Sequence, residues 1–486
     1  MDEQFNQPQR PVNPRRKPRT KMQIFKESYL PVVIIAMAAI LVIVFIAGSA
    51  TRASQKKKAE KDALAATEAS IAAEQARLEK EVQDLILQSQ TFANRYDFQS
   101  AIDVLNSFSG DISQFPTLND KILEYEAAQR NTVAWNDPGK VVNLSFQLLV
   151  ADPARAFKYA GWGNSINKNF ITTEEFSKIL QQLYENGYIL VDFDDIITTE
   201  TTANGTVVYR AKTLYLPKDK KPLMLTQTNV NYNYYLIDSN SDYKADAKGG
   251  GFASKLLWDG QNFTCEMVDA NGNTVTGDYD LIPILEKFIA SHPGFSYQGA
   301  RATIALTGHN GILGYRTHPA YNDGETVVPS AESIFGKAQY EKEIQDAKAV
   351  INALRSRGYT VSCYTYSNIG YGGSGVSTIQ SNLNLWKNSV TGIVGDTSVL
   401  TYAQLSDIAP KGTYSGDKFN LLQDFGFRYY LGFCEGGQPW AVVADNYVRM
   451  GRIMVTGSNL AHHSDWFTNL FDPSSVLDTS RGNIPK

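Results

Sequence analysis

The chain's 486 residues are 43% apolar and 20% charged, ample material for a large core plus accessory segments. Three cysteines, Cys265, Cys363 and Cys434, lie far apart without C-x-x-C spacing, which argues against a disulfide framework and a zinc ribbon and leaves buried free thiols. The formal net charge is −4; residues 1–28 hold seven Lys/Arg against three Asp/Glu, a net of +4, so the remainder carries −8 and is a poor partner for nucleic acid or anionic lipid.

In chain order, a basic tail rich in Pro, Arg and Gln (residues 1–28) precedes an uncharged run from Ser28 to Thr51, apolar from Leu30 to Ala47. About 20 helical residues rise roughly 30 Å, the thickness of a bilayer's hydrocarbon core. The basic flank predicts a single-pass signal anchor over residues 29–50, N-terminus cytoplasmic and C-terminal domain extracellular, with membrane lipid as a partner. Ala47-Gly48-Ser49-Ala50 would suit a cleavage site, but the apolar run exceeds the usual 7–15 residues of a cleavable leader.

Residues 51–135 predict a helical stalk and hairpin. Residues 55–90 lack Gly and Pro, and Leu64, Ile71, Leu78 and Leu85 recur every seven residues; the second coiled-coil position is poor. The seam suits either a homodimeric stalk or a helix lying on its neighbours. A helix through Ile102 and Leu105, then another through Ile122, Leu123 and Tyr125, complete one hairpin, and Asn136-Asp-Pro-Gly139 is a linker.

From residue 141 strands alternate with helices, which predicts a parallel sheet, open or closed. Strands are expected at Val141–Val150, Tyr188–Val191, Leu223–Leu225, Ala302–Leu306, Thr360–Tyr364 and Phe427–Gly432. Helices are expected at Thr172–Glu185, opened by a capping box, at Tyr340–Arg357 and at Ser377–Ser389. Residues 238–280 interrupt the alternation as an inserted β element, with a hairpin turn at Asp269–Thr274. Residues 476–486 form a C-terminal tail.

Four separated segments carry a family resemblance: Ser145-Phe-Gln-Leu-Leu-Val150 with Asp152-Pro153, Thr172 to Tyr188, Leu223 to Tyr235, and Leu306-Thr-Gly-His-Asn-Gly-Ile-Leu-Gly-Tyr-Arg-Thr317. Across about residues 141–475 the chain resembles the polysaccharide deacetylase (NodB-type carbohydrate esterase) family, in a Gram-positive, membrane-anchored branch. The resemblance implies an α/β fold, a distorted parallel (β/α) barrel with its site at the C-terminal strand ends. It implies a metal-dependent hydrolase whose strand ends in Gln-Asp-Asp-Val-Asn-Tyr, one aspartate serving as base and the other as metal ligand. Thr228 and Asn229 occupy those positions, and Tyr364 and Asn368 stand where the family places two metal-binding histidines. Gln147 replaces a frequent histidine, the loop near Thr401–Asp407 matches the family's arginine loop poorly, and no closing Leu-x-His motif is evident.

Neutral side chains at the base and ligand positions predict a degenerate barrel that holds no metal or cofactor and binds cell-wall glycan, peptidoglycan or a surface partner without hydrolysing it. Gln147, Gln227, Asn231, Tyr232, His309, Arg316, Tyr366 and Tyr402 are the pocket candidates. The alternatives are an active N- or O-deacetylase using zinc or another divalent ion on other ligands, and a structural stalk protein. Three features imitate sites. Asp192-Phe-Asp-Asp195 is expected to cap a turn or helix. Gly370-Tyr-Gly-Gly-Ser-Gly375 satisfies a dinucleotide-loop pattern without the first βα unit it needs. His292, His309, His318, His462 and His463 lack fixed ligand spacing.

Overall fold

The structure, a computed structural model, describes residues 50–309, 311–317 and 336–486. Residues 29–49 of the expected membrane span and His318 lie outside them. Among the described residues no helix is long and apolar enough to cross a membrane. The chain divides into two units: residues up to 127 except 94–97, and 94–97 with 128–486.

In the first unit, Ala50–Ala93 is one helix of 44 residues, continuous because nothing in it breaks backbone hydrogen bonding. Phe98–Leu105 and Pro116–Arg130 fold back along it. The sevenfold seam divides: Leu78 and Leu85 pack with Val82, Ile102, Leu105, Leu118 and Tyr125, whereas Leu64 and Ile71 stay more than half exposed.

The second unit is built on seven parallel strands closed into a ring, so the parallel sheet expected from the alternation takes the closed (β/α) form that the resemblance implies. They are β1 (Val142–Phe146), β2 (Lys221–Thr228), β3 (Thr303–Leu306), β4 (Thr360–Cys363), β5 (Val399–Thr401), β6 (Tyr429–Phe433) and β7 (Tyr447–Met454). Closure comes from β2, which pairs with β1 along one edge and with β3 along the other from Thr226 to Thr228. Below that, the same edge of β2 pairs with Tyr188–Leu190 instead. Ala441–Ala444 adds antiparallel to the start of β7.

Register sorts the side chains into two faces, because strand neighbours in register project to the same side. The outward face is apolar: Leu144, Phe146, Leu223, Leu225, Ile304, Leu306, Val361 and Leu400 join the main core under the helices. One of those helices, Thr173–Glu185, buries Phe176, Ile179, Leu180 and Leu183, the spacing of a single helical face. Its expected capping box is present, with both reciprocal bonds between Thr172 and Glu175. The inward face has a different composition, with Asn143, Ser145, Thr226, Thr228, Ala305, Ser362 and Thr401 beside Met450 and Arg452.

The inserted element is a three-stranded antiparallel sheet, Lys255–Trp258, Phe263–Val268 and Thr274–Gly277. Its hairpin turns where expected, the Asp269 carboxylate accepting from the N–H groups of Asn271 and Asn273. All three cysteines are buried and free, and burial pushes their thiols upward, so they stay protonated.

Candidate functional site at the barrel mouth

Backbone strain collects at the C-terminal strand ends. Seven of the eleven described non-glycine residues with positive φ lie just past β2 to β5: Asn229, Tyr232, Leu313, Thr365, Asn368, Gln404 and Leu405. Asparagine tolerates this region, but Tyr, Leu and Thr pay about 1–3 kcal/mol each and persist only where surrounding packing enforces them. Such concentration at one end of a barrel marks the end whose loop geometry matters.

Thr228 closes β2 with its hydroxyl donating to the Phe146 carbonyl at 3.1 Å. Tyr364, one residue past β4, packs on Ala305 and Ala403 across the barrel top, with Thr228 beside its phenol. Burial raises that phenol, so it remains a neutral hydrogen-bonding group. Burial pushes the Tyr235 hydroxyl up, and the neighbouring Asn229 amide opposes that rise. The Tyr235 ring leans on Trp162 with centroids 5.0 Å apart, and both rings are open to solvent, at 39% and 43%. Below Tyr364 lies Arg452, fully buried on the inward face of β7. The mouth thus combines three positions expected from the sequence, Thr228, Asn229 and Tyr364, with three the sequence did not reveal, Tyr235, Trp162 and Arg452.

The fourth degenerate position, Asn368, is held by its carbonyl, which accepts from the Gln404 amide at 2.6 Å. Its own side-chain oxygen is buried without a hydrogen-bond partner among the described residues. Asn231 donates its amide to Thr307, and His309 and Gly308 donate their backbone N–H groups to the Tyr366 carbonyl. Arg316 donates to the carbonyls of Tyr232 and Asn231 and stacks on Tyr234 at 3.9 Å, so it braces the loop after β2. Gln147 donates its amide to the Asn169 carbonyl at 3.3 Å.

Gln227, Tyr232 and Tyr402 face elsewhere. Gln227 alternates with Thr226 and Thr228 and points outward, where with the Tyr232 hydroxyl and Leu149 N–H it bonds the Asp280 carboxylate at 2.7, 2.8 and 3.0 Å. Burial pushes Asp280 up to about 6, and these three donors oppose the rise. The Tyr402 ring joins Tyr414 and Tyr430 outside the barrel, its hydroxyl 2.9 Å from that of Tyr414. Tyr414 donates in turn to Asp407, which is ion-paired to Arg449 at 3.0 Å.

The imitation sites are committed to structure. Asp192 and Asp195 form a capping box over Phe193–Ile196, and Thr360 donates to Asp192. Asp192 also lines a cleft of about 300 Å³ with Arg355 and Asp396, but this opens at the N-terminal strand ends, away from the mouth. In the glycine-rich loop, a β-carbon on Gly372 would sit 2.4 Å from the Asp407 carbonyl, so close backbone packing explains that glycine without a phosphate.

No three His, Cys, Asp or Glu side chains are grouped to hold a metal among the described residues. Thr228, Asn229, Tyr364 and Asn368 offer neutral oxygen and amide donors, a set that does not fit the carboxylate and imidazole cage of a zinc hydrolase. No family model and no curated protein matches the chain. Among solved structures, it is similar to the Streptococcus pyogenes deacetylase PplD in complex with acetate, at 11% identity over 67% of this chain and 97% of that one, with a TM-score of 0.32. So shallow an overlay supports no statement about chemistry, and the barrel rests on its strand pairings.

Proposed function

We propose that this chain is a membrane-anchored, extracytoplasmic, deacetylase-like barrel that binds cell-wall glycan at its mouth and does not hydrolyse it. The observation carrying this reading is that an exposed aromatic pair, Trp162 and Tyr235, stands beside Asn229, where a carboxylate is expected. Hydrolysis of an acetyl group would need a cation to acidify water and a base to take its proton, and Thr228, Asn229 and Tyr364 provide neither. A solvent-open Trp–Tyr pair offers the apolar faces on which sugar rings stack, with hydroxyl and amide groups beside it for the sugar's own hydroxyls.

The test pairs two measurements on the full chain. Retention on insoluble peptidoglycan is expected, weakened tenfold or more by Trp162→Ala or Tyr235→Ala. Acetate release from N-acetylated glycan is expected to stay at background with or without added zinc. Release that a chelator abolishes would overturn the reading in favour of an active deacetylase. Retention unaffected by both substitutions would remove the mouth as the binding site.

A further inference from the structure

Resting on glycan binding at the mouth, we propose that the bound glycan is anionic, selected through the buried charge of Arg452. This guanidinium is 0% exposed and bonds only neutral groups: Nε to the Gly432 carbonyl at 3.1 Å, Nη1 to the Ser145 hydroxyl at 2.8 Å and Nη2 to the Tyr402 carbonyl at 3.0 Å. It lies 4.7 Å from the Phe433 ring centroid, again with no acid. Of the three other buried arginines, Arg449 is neutralised by Asp407 and Arg481 by Glu175, while Arg316 braces the loop after β2. Among the described residues no carboxylate pairs with Arg452.

Tying three strand ends together requires donors, and a neutral amide could supply some of them; the net charge is what structure alone leaves unexplained. Burial lowers the guanidinium only to about 10, so it is cationic at neutral pH. Its charge reaches Tyr364, which packs on Ala305 and Ala403 at the top of the barrel. Acids that follow the strand ends are paired elsewhere, Glu435 with Lys411 and Asp407 with Arg449. A positive field in a low-dielectric interior, with the Tyr364 phenol above it, favours a carboxylate or phosphodiester over a neutral sugar.

Titration of the full chain with three probes tests this: a neutral N-acetylglucosamine oligomer, a uronate-bearing oligosaccharide and a glycerol-phosphate polymer. At least one anionic probe is expected to bind tenfold or more tighter than the neutral one, and the two anionic arms separate carboxylate from phosphodiester. Arg452→Gln should bring the anionic-to-neutral ratio close to one, while Arg452→Lys retains part of it. Tyr364→Phe, which spares the buried strand contacts, should also reduce the ratio if Arg452→Gln does not fold. Equal affinity of the wild type for all three probes overturns the proposal, as does an undiminished preference in a folded Arg452→Gln. Binding to none of them overturns glycan binding as well, whereas neutral binding without preference overturns only this inference.

Discussion

Asp280 illustrates how one residue's environment departs from what its neighbours in sequence suggest. Its carboxylate is fully buried at the start of Leu281–Ser291, and burial pushes it up to about 6. A carboxylate raised in the folded state binds its proton more tightly there than in the unfolded chain, near 3.9. Its favourable contribution is therefore complete below about pH 4 and is lost as pH rises to about 6, which amounts to roughly 2–3 kcal/mol. Asp280→Asn should be destabilising or neutral at pH 4 and gain about 2 kcal/mol relative to wild type by pH 7 in urea unfolding. A difference that stays flat across that range would refute the assignment. Gln227 and Tyr232 lie close to Thr228 and Asn229 in the sequence. Strand parity turns Gln227 the other way, and parity becomes legible only once the register of β2 is known.

Elements show the same division of legibility. The capping box at Thr172 was legible because Thr-x-x-Glu before an apolar stripe is a local signal. Glu175 has a further role that is not local: its carboxylate accepts from Arg481 and from the N–H of Asp478, tying the chain's last residues to this helix. Both partners are buried, so Arg481→Ala should strand a buried carboxylate and cost about 3–5 kcal/mol. Urea denaturation measures it, and a loss under about 1 kcal/mol would mean that the pair contributes little to the fold. Strand β7 is not legible in the sequence because Arg449 and Arg452 interrupt its apolar pattern. Each arginine is accommodated by a partner over forty residues or a strand away, Asp407 for one and the barrel interior for the other. No short window holds that information.

At the scale of the whole molecule, the seven-strand ring places neutral donors where the resemblance implies a metal cage. A protein that bound zinc with micromolar affinity would gain about 2.7 kcal/mol at a hundredfold excess of ion and melt several degrees higher. Melting of the full chain should instead shift by less than about 1 °C on adding zinc or a chelator. A larger zinc-dependent rise would point to a ligand set other than Thr228, Asn229, Tyr364 and Asn368. The amino-acid sequence by itself determined the long N-terminal helix, the alternation of strands and helices, the inserted hairpin and the neutral residues at the strand ends. Those depend on local spacing and residue chemistry. Only the tertiary structure decided which side chains share the mouth, that Trp162 leans on Tyr235, and that Arg452 lies buried without an acid among the described residues. Closing the barrel joins residues as far apart as Ser145 and Arg452, and strand register, a long-range property, chooses the face each presents.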